Sequence, residues 1–337
     1  MAGIKRANKL NDLSGTEWIK FTKSWSVYDL EGTKVTDYNR EDSRKIGLRS
    51  WFIHNPPPRE PNKILHPASF PETMIKEFIL FFTKKGGWVL DPFLGSGTTL
   101  ISAFETGRNA IGIELSEYWA NIAKKRLEEV KAQKKLEDYA GEEETKQIIV
   151  IGDSREIDKI WAENDFPLMD FVITSPPYWN QLKRTWLRQK KRRELGLPTE
   201  YSEDEKDIGN IDDYEKFIIE EKLIFDKIYN ICKDNSYLVI ITNNIFANKK
   251  LYPLAFDTLL ALSEKWCPKD EKLWLQDDKA LLPLGIYNEW IGNRHHQYCL
   301  IFKKESSREK ELRNDFEKRV ISLYLKLLGE RRNELKS

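Results

Sequence analysis

The stretch Val89-Leu90-Asp91-Pro92-Phe93-Leu94-Gly95-Ser96-Gly97-Thr98-Thr99 joins a short apolar run to a segment with helical spacing. It predicts a strand at residues 88–90, a glycine-rich turn, and a helix from about Thr98 to Glu105. The glycines let backbone amides approach a ligand closely, and the helix N-terminus beyond them favours a negative group. No Gly-Lys-Ser/Thr follows, so the turn is not a P-loop, and a glycine-rich turn alone is as often structural as functional.

Around this turn, apolar runs of strand length alternate with segments of helical periodicity. The alternation predicts an α/β fold, in which a mostly parallel sheet is covered by helices on both faces. Such sheets bind ligands at the carboxyl ends of their strands. In chain order we predict a helix opened by Pro71 and ended by Gly86-Gly87, strands at 88–90 and 109–113, a helix at 118–135, strands at 148–151 and 171–174, a helix at 214–232, strands at 237–242 and 297–302, and a terminal helix at 307–334.

Acidic residues follow the next two predicted strands. Glu114 ends the second strand, 23 residues after Asp91, where a carboxylate can accept hydrogen bonds from both hydroxyls of a ribose. Asp153 follows the third strand and is suited to accept from an adenine amino group. Each acid alone is more often a surface or capping residue, but three strand ends in succession predict a site for an adenosyl cofactor.

The fourth predicted strand ends in Thr174-Ser175-Pro176-Pro177-Tyr178-Trp179-Asn180. Two prolines in succession fix the backbone and remove its amide donors, so hydrogen-bond acceptors remain. The Ser175 hydroxyl and the adjacent carbonyls, next to an aromatic ring, suit a planar molecule that carries an NH2 group. A plain rigid turn is the alternative, and the position at the same sheet edge as the cofactor signals favours a functional role.

The charge distribution is uneven although the 337-residue chain has a net charge of only +1. With 40% hydrophobic and 32% charged residues, the composition is that of a globular protein. A cluster of basic residues without an intervening acid is able to contact several phosphates of a nucleic acid, although a solvated charged helix explains it equally well. This basic run consists of Lys183, Arg184, Arg188, Lys190, Lys191, Arg192 and Arg193.

Several function classes are disfavoured. No apolar run approaches the roughly 20 residues of a membrane span, and the N-terminus lacks the apolar stretch of a secretion signal. The three cysteines form no CxxC pair, so the sequence predicts neither a disulfide framework nor a metal site. We expect a cytoplasmic protein.

In combination, the Asp91-Pro-Phe-x-Gly-Ser-Gly-Thr-Thr and Ser175-Pro-Pro-Tyr motifs resemble those of the amino-methylating DNA methyltransferases of restriction-modification systems. Residues 66–72 are similar to that family's additional cofactor motif, residues 107–114 to its second motif, and residues 293–298 to its final hairpin. The resemblance covers about residues 64–304, with gaps near 180–210 and 245–285. It implies the Rossmann-like S-adenosylmethionine-dependent methyltransferase fold with a seven-stranded sheet, in a permuted motif order that places the cofactor motifs first.

The resemblance also implies roles for individual residues. The catalytic residues are Ser175, Pro176, Pro177 and Tyr178. The residues that bind S-adenosyl-L-methionine are His66, Pro67, Phe70, Asp91, Pro92, Phe93, Gly95, Gly97, Thr98, Glu114 and Asp153. The contacts with DNA are predicted from the residues themselves: the loop after Tyr178, at about residues 179–210, would use Trp179 and the basic run.

The implied reaction is direct transfer of a methyl group to the exocyclic amine of a base flipped out of double-stranded DNA. Ser175 and the Pro176 carbonyl would accept the two N–H bonds of the amine, and Tyr178 would stack on the base with help from Trp179. In the family, serine at this position is associated mainly with N4 of cytosine, and N6 of adenine is the alternative. Transfer to C5 is disfavoured because it needs a cysteine, usually after a proline, and no Pro-Cys occurs.

Three rival functions are weaker: an RNA guanine-N2 methyltransferase, a non-catalytic DNA-binding relative, and a nucleotide-binding oxidoreductase. Any restriction endonuclease partner is expected to be a separate polypeptide. The second recognition region is placed in residues 245–292 with Lys249, Lys250, Trp266, Trp274 and Trp290, although each tryptophan singly fits a core position better. The predicted organisation is an N-terminal arm (1–63), the cofactor-binding half (64–178), a basic loop (179–213), the rest of the catalytic domain (214–304, with the insert at about 245–292) and a C-terminal helix (305–337).

Overall fold

The computed structural model describes residues 12, 51–53, 70–133, 144–179, 194, 206–276, 296–306, 309 and 320–328. Several predicted residues lie outside these ranges: His66, Pro67, Asn180, the whole basic run from Lys183 to Arg193, and Trp290.

The described strands form one mixed sheet and a separate hairpin. Across the sheet the order is β1-β9-β10-β6-β5-β2-β3-β4, and β10 is antiparallel to both of its neighbours while the other described pairs are parallel. The hairpin pairs β7 with β8. The strands are β1 (Trp51–Ile53), β2 (Trp88–Asp91), β3 (Asn109–Glu114), β4 (Gln147–Ile151), β5 (Met169–Thr174), β6 (Cys232–Thr242), β7 (Ile245–Ala247), β8 (Lys250–Tyr252), β9 (Cys267–Leu275) and β10 (His296–Lys303).

The predicted α/β class and the mostly parallel sheet are confirmed. Seven of the strands, β2 to β6 with β9 and β10, make the expected sheet, and β1 adds an edge strand parallel to β9. The first half of β6 was missed because Lys233-Asp234-Asn235-Ser236 is polar, and Asn235 adopts a left-handed backbone with φ 66°.

Helices cover both faces of the sheet, and alternate residues of its central strands belong to different buried clusters. In β2, Val89 belongs to one buried cluster and Leu90 to the other, as the two-residue period of a strand requires. The described helices are α1 (Glu72–Phe82), α2 (Thr98–Glu105), α3 (Glu117–Gln133), α4 (Ile157–Asn164), α5 (Tyr214–Asn230) and α6 (Leu254–Leu262). Residues 320–328 of the predicted terminal helix are also helical, and the Tyr324 hydroxyl donates to Asp257 Oδ1 at 3.1 Å.

The tryptophans of the predicted recognition insert are core residues where the structure describes them. Trp266 is fully buried and donates from Nε1 to the carbonyl of Phe225 at 3.0 Å. Trp274 is buried in the same cluster as Val89. No helix among the described residues is long and apolar enough to cross a membrane.

Candidate active site

A cavity of about 870 Å³, measured out to its open mouth, lies at the carboxyl ends of β2, β3, β4 and β5. The position is the one at which such sheets bind ligands. The predicted site residues that line it are Phe70, Asp91, Pro92, Phe93, Gly95, Thr98, Glu114, Asp153, Ser175 and Pro177. The predicted cofactor and catalytic motifs therefore line one cavity.

The glycine-rich turn shapes one wall of the cavity. Gly95 lines the cavity and has φ +55°, a left-handed conformation that favours glycine. Gly97 has φ +86° at the N-terminus of α2, and a Cβ there would lie 2.8 Å from the Cβ of Ala123. The structure does not bring Gly97 to the cavity, so its role is the close packing of the turn on α3.

Asp91 connects the two motifs. It is 3% exposed, and its Oδ1 accepts hydrogen bonds from Thr174 Oγ1 at 2.7 Å and from the Phe93 amide at 3.1 Å. Its Oδ2 accepts from Thr99 Oγ1 at 2.6 Å. Burial raises the pKa of this carboxyl above its ordinary value, although the three hydrogen bonds oppose the shift. Since Thr174 precedes Ser175, Asp91 ties the end of β5 to the end of β2.

Glu114 presents its carboxylate at the end of β3. Oε2 accepts from the Gly95 amide at 2.7 Å and Oε1 from the Ser116 amide at 2.9 Å. Burial raises the pKa of Glu114 to about 7. A cofactor that donates hydrogen bonds would favour the charged form, so this carboxylate fits the hydroxyl pair of a ribose.

Asp153 lines the cavity but is already engaged. Its Oδ2 accepts from Arg155 Nη2 at 2.7 Å and from Arg155 Nε at 3.0 Å, and its Oδ1 accepts from the Arg155 amide at 2.9 Å. The arginine holds the carboxylate at the cavity wall. An adenine amino group in the predicted position would therefore donate to a carboxylate that also accepts from Arg155.

A partly buried ion pair, which was not predicted, supports the glycine turn. Arg126 of α3 is 1% exposed and contacts Glu72 Oε1 at 2.6 Å, and its Nη1 donates to the carbonyl of Ser96. Thr98 Oγ1 donates to the same Glu72 oxygen at 3.4 Å. Glu72 is the last residue of the motif at 66–72, and Arg126 connects Glu72 to the glycine turn.

The loop after β5 is held by a chain of hydrogen bonds. Ser175 Oγ donates to Tyr178 Oη at 3.1 Å, and Tyr178 Oη donates to Gln297 Oε1 at 2.7 Å. Gln297 was not predicted as a site residue. Tyr178 is 7% exposed, so the ring is enclosed by protein in this structure and the expected stacking on a base stays a prediction.

Three cavity residues on the far side of this loop were also missed. Lys206, Asp207 and Ile208 line the cavity at a short 3-10 helix, and a Cβ on Gly209 of that helix would lie 2.8 Å from the Cβ of Pro177. The segment 206–210 therefore braces the loop. Its polar composition gave no signal at the level of sequence.

The expectation that Trp179 contacts DNA needs correction. Its side chain is 2% exposed, and its Nε1 donates to the carbonyl of Asp212 at 3.2 Å. The ring packs against Tyr214 and Tyr252 with centroid distances of 4.9 and 4.6 Å. In this arrangement Trp179 anchors the end of the loop after β5 in the core.

Part of the sequence that forms this site is similar to known DNA methylases. The sequence model of the DNA methylase family of the N6/N4 class matches residues 7–125, which include the glycine turn and Glu114. The type II methyltransferase M.SmaI of Serratia marcescens is 38% identical over 100 residues, 30% of this chain and 33% of that protein. The orphan methyltransferase M.BamHII of Bacillus amyloliquefaciens is 37% identical over 103 residues, 29% of this chain and 39% of that protein. Among solved structures, TrmN from Thermus thermophilus has 12% identity over 71% of this chain and 50% of that chain, with a TM-score of 0.44 that is too low to support a functional argument.

Fold and site together define an α/β protein with a ligand-sized cavity at the carboxyl edge of its mostly parallel sheet. The chain is similar to the N6/N4 DNA methyltransferases, through the family model over residues 7–125 and through partial matches to type II and orphan methyltransferases. It spans less than half the length of the curated relatives that it matches. The cofactor of this family is S-adenosyl-L-methionine, and the acceptor carboxylates, glycine amides and aromatic walls of the cavity fit an adenosyl group.

Proposed function

We propose that this protein methylates N4 of cytosine in double-stranded DNA, on a base flipped out of the duplex. The observation that carries the proposal is that Ser175 and Glu114, from the ends of β5 and β3, line the same cavity. One wall carries groups suited to an adenosyl cofactor, and the other carries acceptors suited to an amine.

Glu114 would hold the ribose hydroxyls of S-adenosyl-L-methionine, Asp153 would lie near its adenine, and Phe70 and Phe93 would supply apolar walls. The cofactor supplies a methyl group bonded to a positively charged sulfur. The backbone of the glycine turn, held by Arg126, would keep this wall rigid.

An exocyclic amine is a weak nucleophile because its lone pair is conjugated with the ring. Ser175 Oγ and the Pro176 carbonyl would accept its two N–H bonds and favour a tetrahedral nitrogen whose lone pair is free for direct transfer. This is catalysis by positioning and electrostatics, without a covalent link to the protein. Asp91 lines the cavity, but its carboxylate already accepts three hydrogen bonds within the protein, so it is not available as a base. We therefore expect the amine proton to leave to water after the methyl transfer.

Ser175 favours cytosine as the target. In the family, a serine at this position is associated mainly with N4-cytosine and an acid or asparagine with N6-adenine. N6-adenine remains the second candidate, since both amines offer the same pair of N–H donors to Ser175 and Pro176.

DNA would approach the carboxyl edge of the sheet. The β7–β8 hairpin starts three residues after β6 ends, and β6 runs parallel to β5, so the hairpin lies at the edge that carries Ser175. Lys249 and Lys250 are exposed at its tip. We propose that these lysines contact phosphates together with the basic run, which lies outside the described residues.

The test is transfer of labelled methyl groups from S-adenosyl-L-methionine to duplex DNA, followed by digestion and mass spectrometry of the nucleosides. We expect N4-methylcytosine in the product. Ser175→Ala should lower kcat by about a hundredfold, the scale of losing one transition-state hydrogen bond, while cofactor affinity is unchanged. N6-methyladenine would select the second candidate, and methylation of tRNA instead of DNA, or full activity of the variant, would contradict the proposal.

A further inference from the structure

Gln297 lies on β10, two strands away from β5, yet it contacts Tyr178 in the loop after β5. Its Oε1 accepts the Tyr178 hydroxyl at 2.7 Å, and Tyr178 Oη in turn accepts the Ser175 hydroxyl at 3.1 Å. Three side chains from two distant parts of the chain thus form one hydrogen-bonded row that ends in the cavity.

The direction of this row follows from the acceptor at its far end. An amide oxygen has no proton to give, so it fixes Tyr178 as the donor of that bond. The single proton of Tyr178 is then used, and its oxygen is left to accept from Ser175. The proton of Ser175 therefore points away from the cavity, and the lone pairs of Oγ remain available on the other side.

We propose that Gln297 is a positioning residue that makes Ser175 a hydrogen-bond acceptor toward the amine of the target base. This inference deepens the proposed function and rests on it. A carboxylate at position 175 would be an acceptor without help, whereas a serine hydroxyl can donate or accept, so its direction must be set by its neighbours. Without Gln297, the Ser175 proton is free to point into the cavity and to compete with the N–H bonds of the amine.

The experiment compares two substitutions of Gln297 with the wild type in the methyl-transfer assay. Gln297→Met removes the acceptor at similar size, and we expect kcat to fall by about tenfold to a hundredfold with little change in KM for DNA or in affinity for S-adenosyl-L-methionine. Gln297→Glu keeps an acceptor, and an ionised carboxylate cannot donate a hydrogen bond to Tyr178. We therefore expect this variant to retain kcat within about threefold at pH 8.

A double-mutant cycle tests the connection through Tyr178. Tyr178→Phe keeps the ring and removes the relay, so the double variant with Gln297→Met should lose no more activity than the worse single variant. Gln147→Met on β4 is the matched control: Gln147 Nε2 donates to the Arg108 carbonyl at 3.1 Å, at the opposite end of the strands, and kcat should stay at the wild-type value.

The outcomes separate the two proposals. Wild-type protein without methyl transfer to DNA would overturn the proposed function, whatever Gln297 does. An active wild type in which Gln297→Met keeps kcat, or in which Gln297→Glu is as impaired as Gln297→Met, or in which the two losses multiply, would overturn the positioning role alone.

Discussion

At the scale of single residues, the site depends on carboxylates that the fold has removed from water. Asp91 and Glu114 both have raised pKa values because burial disfavours their charged forms, and both are held by hydrogen bonds from the glycine turn or its neighbours. They differ in the hydrogen-bond acceptor capacity that remains for a ligand. Asp91 is satisfied within the protein, whereas Glu114 accepts only two backbone amides and keeps acceptor capacity for a ligand at the cavity wall.

The raised pKa of Glu114 predicts a pH-dependent affinity for S-adenosyl-L-methionine. The free protein holds a proton on Glu114 below about pH 7, and hydroxyl donors of the ribose favour the charged carboxylate. Binding below pH 7 must therefore release a proton, so affinity falls toward about tenfold per pH unit as the pH drops. Calorimetry in buffers of different ionisation enthalpy would measure the proton release.

The matching variant for this prediction is Glu114→Gln. It should bind the cofactor more weakly than the wild type at pH 8 and show no dependence on pH between 6 and 8. A wild-type affinity that is flat over this range would show that Glu114 does not bind the ribose in its charged form.

At the scale of elements, the shape of the cavity depends on how closely α2 and its glycine turn pack on α3. A side chain at Gly97 would collide with Ala123 of α3, and Arg126 of the same helix holds the Ser96 carbonyl. The turn is thus clamped from one side by backbone contact and by a buried guanidinium. The loop after β5 is clamped in the same manner, by Gly209 against Pro177.

Gly97→Ala should destabilise the protein by about 2–3 kcal/mol, since it adds a clash to an unfavourable positive φ, and it should weaken cofactor binding. Gly86→Ala is the control, because Gly86 also has a positive φ of +74° but a Cβ there meets nothing within 4 Å. That variant should cost only about 1 kcal/mol and leave cofactor affinity intact. Denaturant unfolding and a binding titration of both proteins measure the difference; equal losses would argue against the packing role of Gly97.

At the scale of the whole molecule, the attraction to DNA that the proposed function requires must be local, because the net charge is only +1. The cavity, the Ser175 loop and the β7–β8 hairpin all lie at the carboxyl edge of the sheet, and the turns that lead into the strands lie at the amino edge. Lys249 occupies the hairpin turn with φ +59°, a conformation in which glycine is favoured over lysine. A lysine held there is placed at the tip that faces the approaching duplex under the proposed function.

Replacing both hairpin lysines, as Lys249→Glu with Lys250→Glu, should weaken DNA binding and reduce the slope of log K against log salt by about 2, one for each lost phosphate contact. The control is Lys124→Glu with Lys125→Glu, a pair of exposed lysines in the middle of α3. Its salt slope should match that of the wild type. An unchanged slope in the hairpin variant would remove the hairpin from the DNA interface.

Prediction from sequence succeeded where the signal is local. The helix at Thr98–Glu105 was predicted to the residue, and the helix predicted to begin at Tyr214 does so, since Asp213 caps it by accepting from the Lys216 amide at 2.6 Å. It failed where pairing alone makes a strand. Strand β9 carries Lys, Asp and Glu in its first half, and it is a strand because β10 pairs with it along its length.

Local patterns were enough to predict the fold class, the glycine-rich turn and the loop after β5, because strand ends, glycines and the Pro176-Pro177 pair impose their conformation locally. Tertiary structure alone decided which partners those motifs receive: Arg126 behind the turn, Thr174 on Asp91, and Gln297 at the end of the row from Ser175. It also decided that Trp179 is buried. Contacts between residues up to 119 positions apart depend on the order and register of strands, and no local pattern of residues encodes that order.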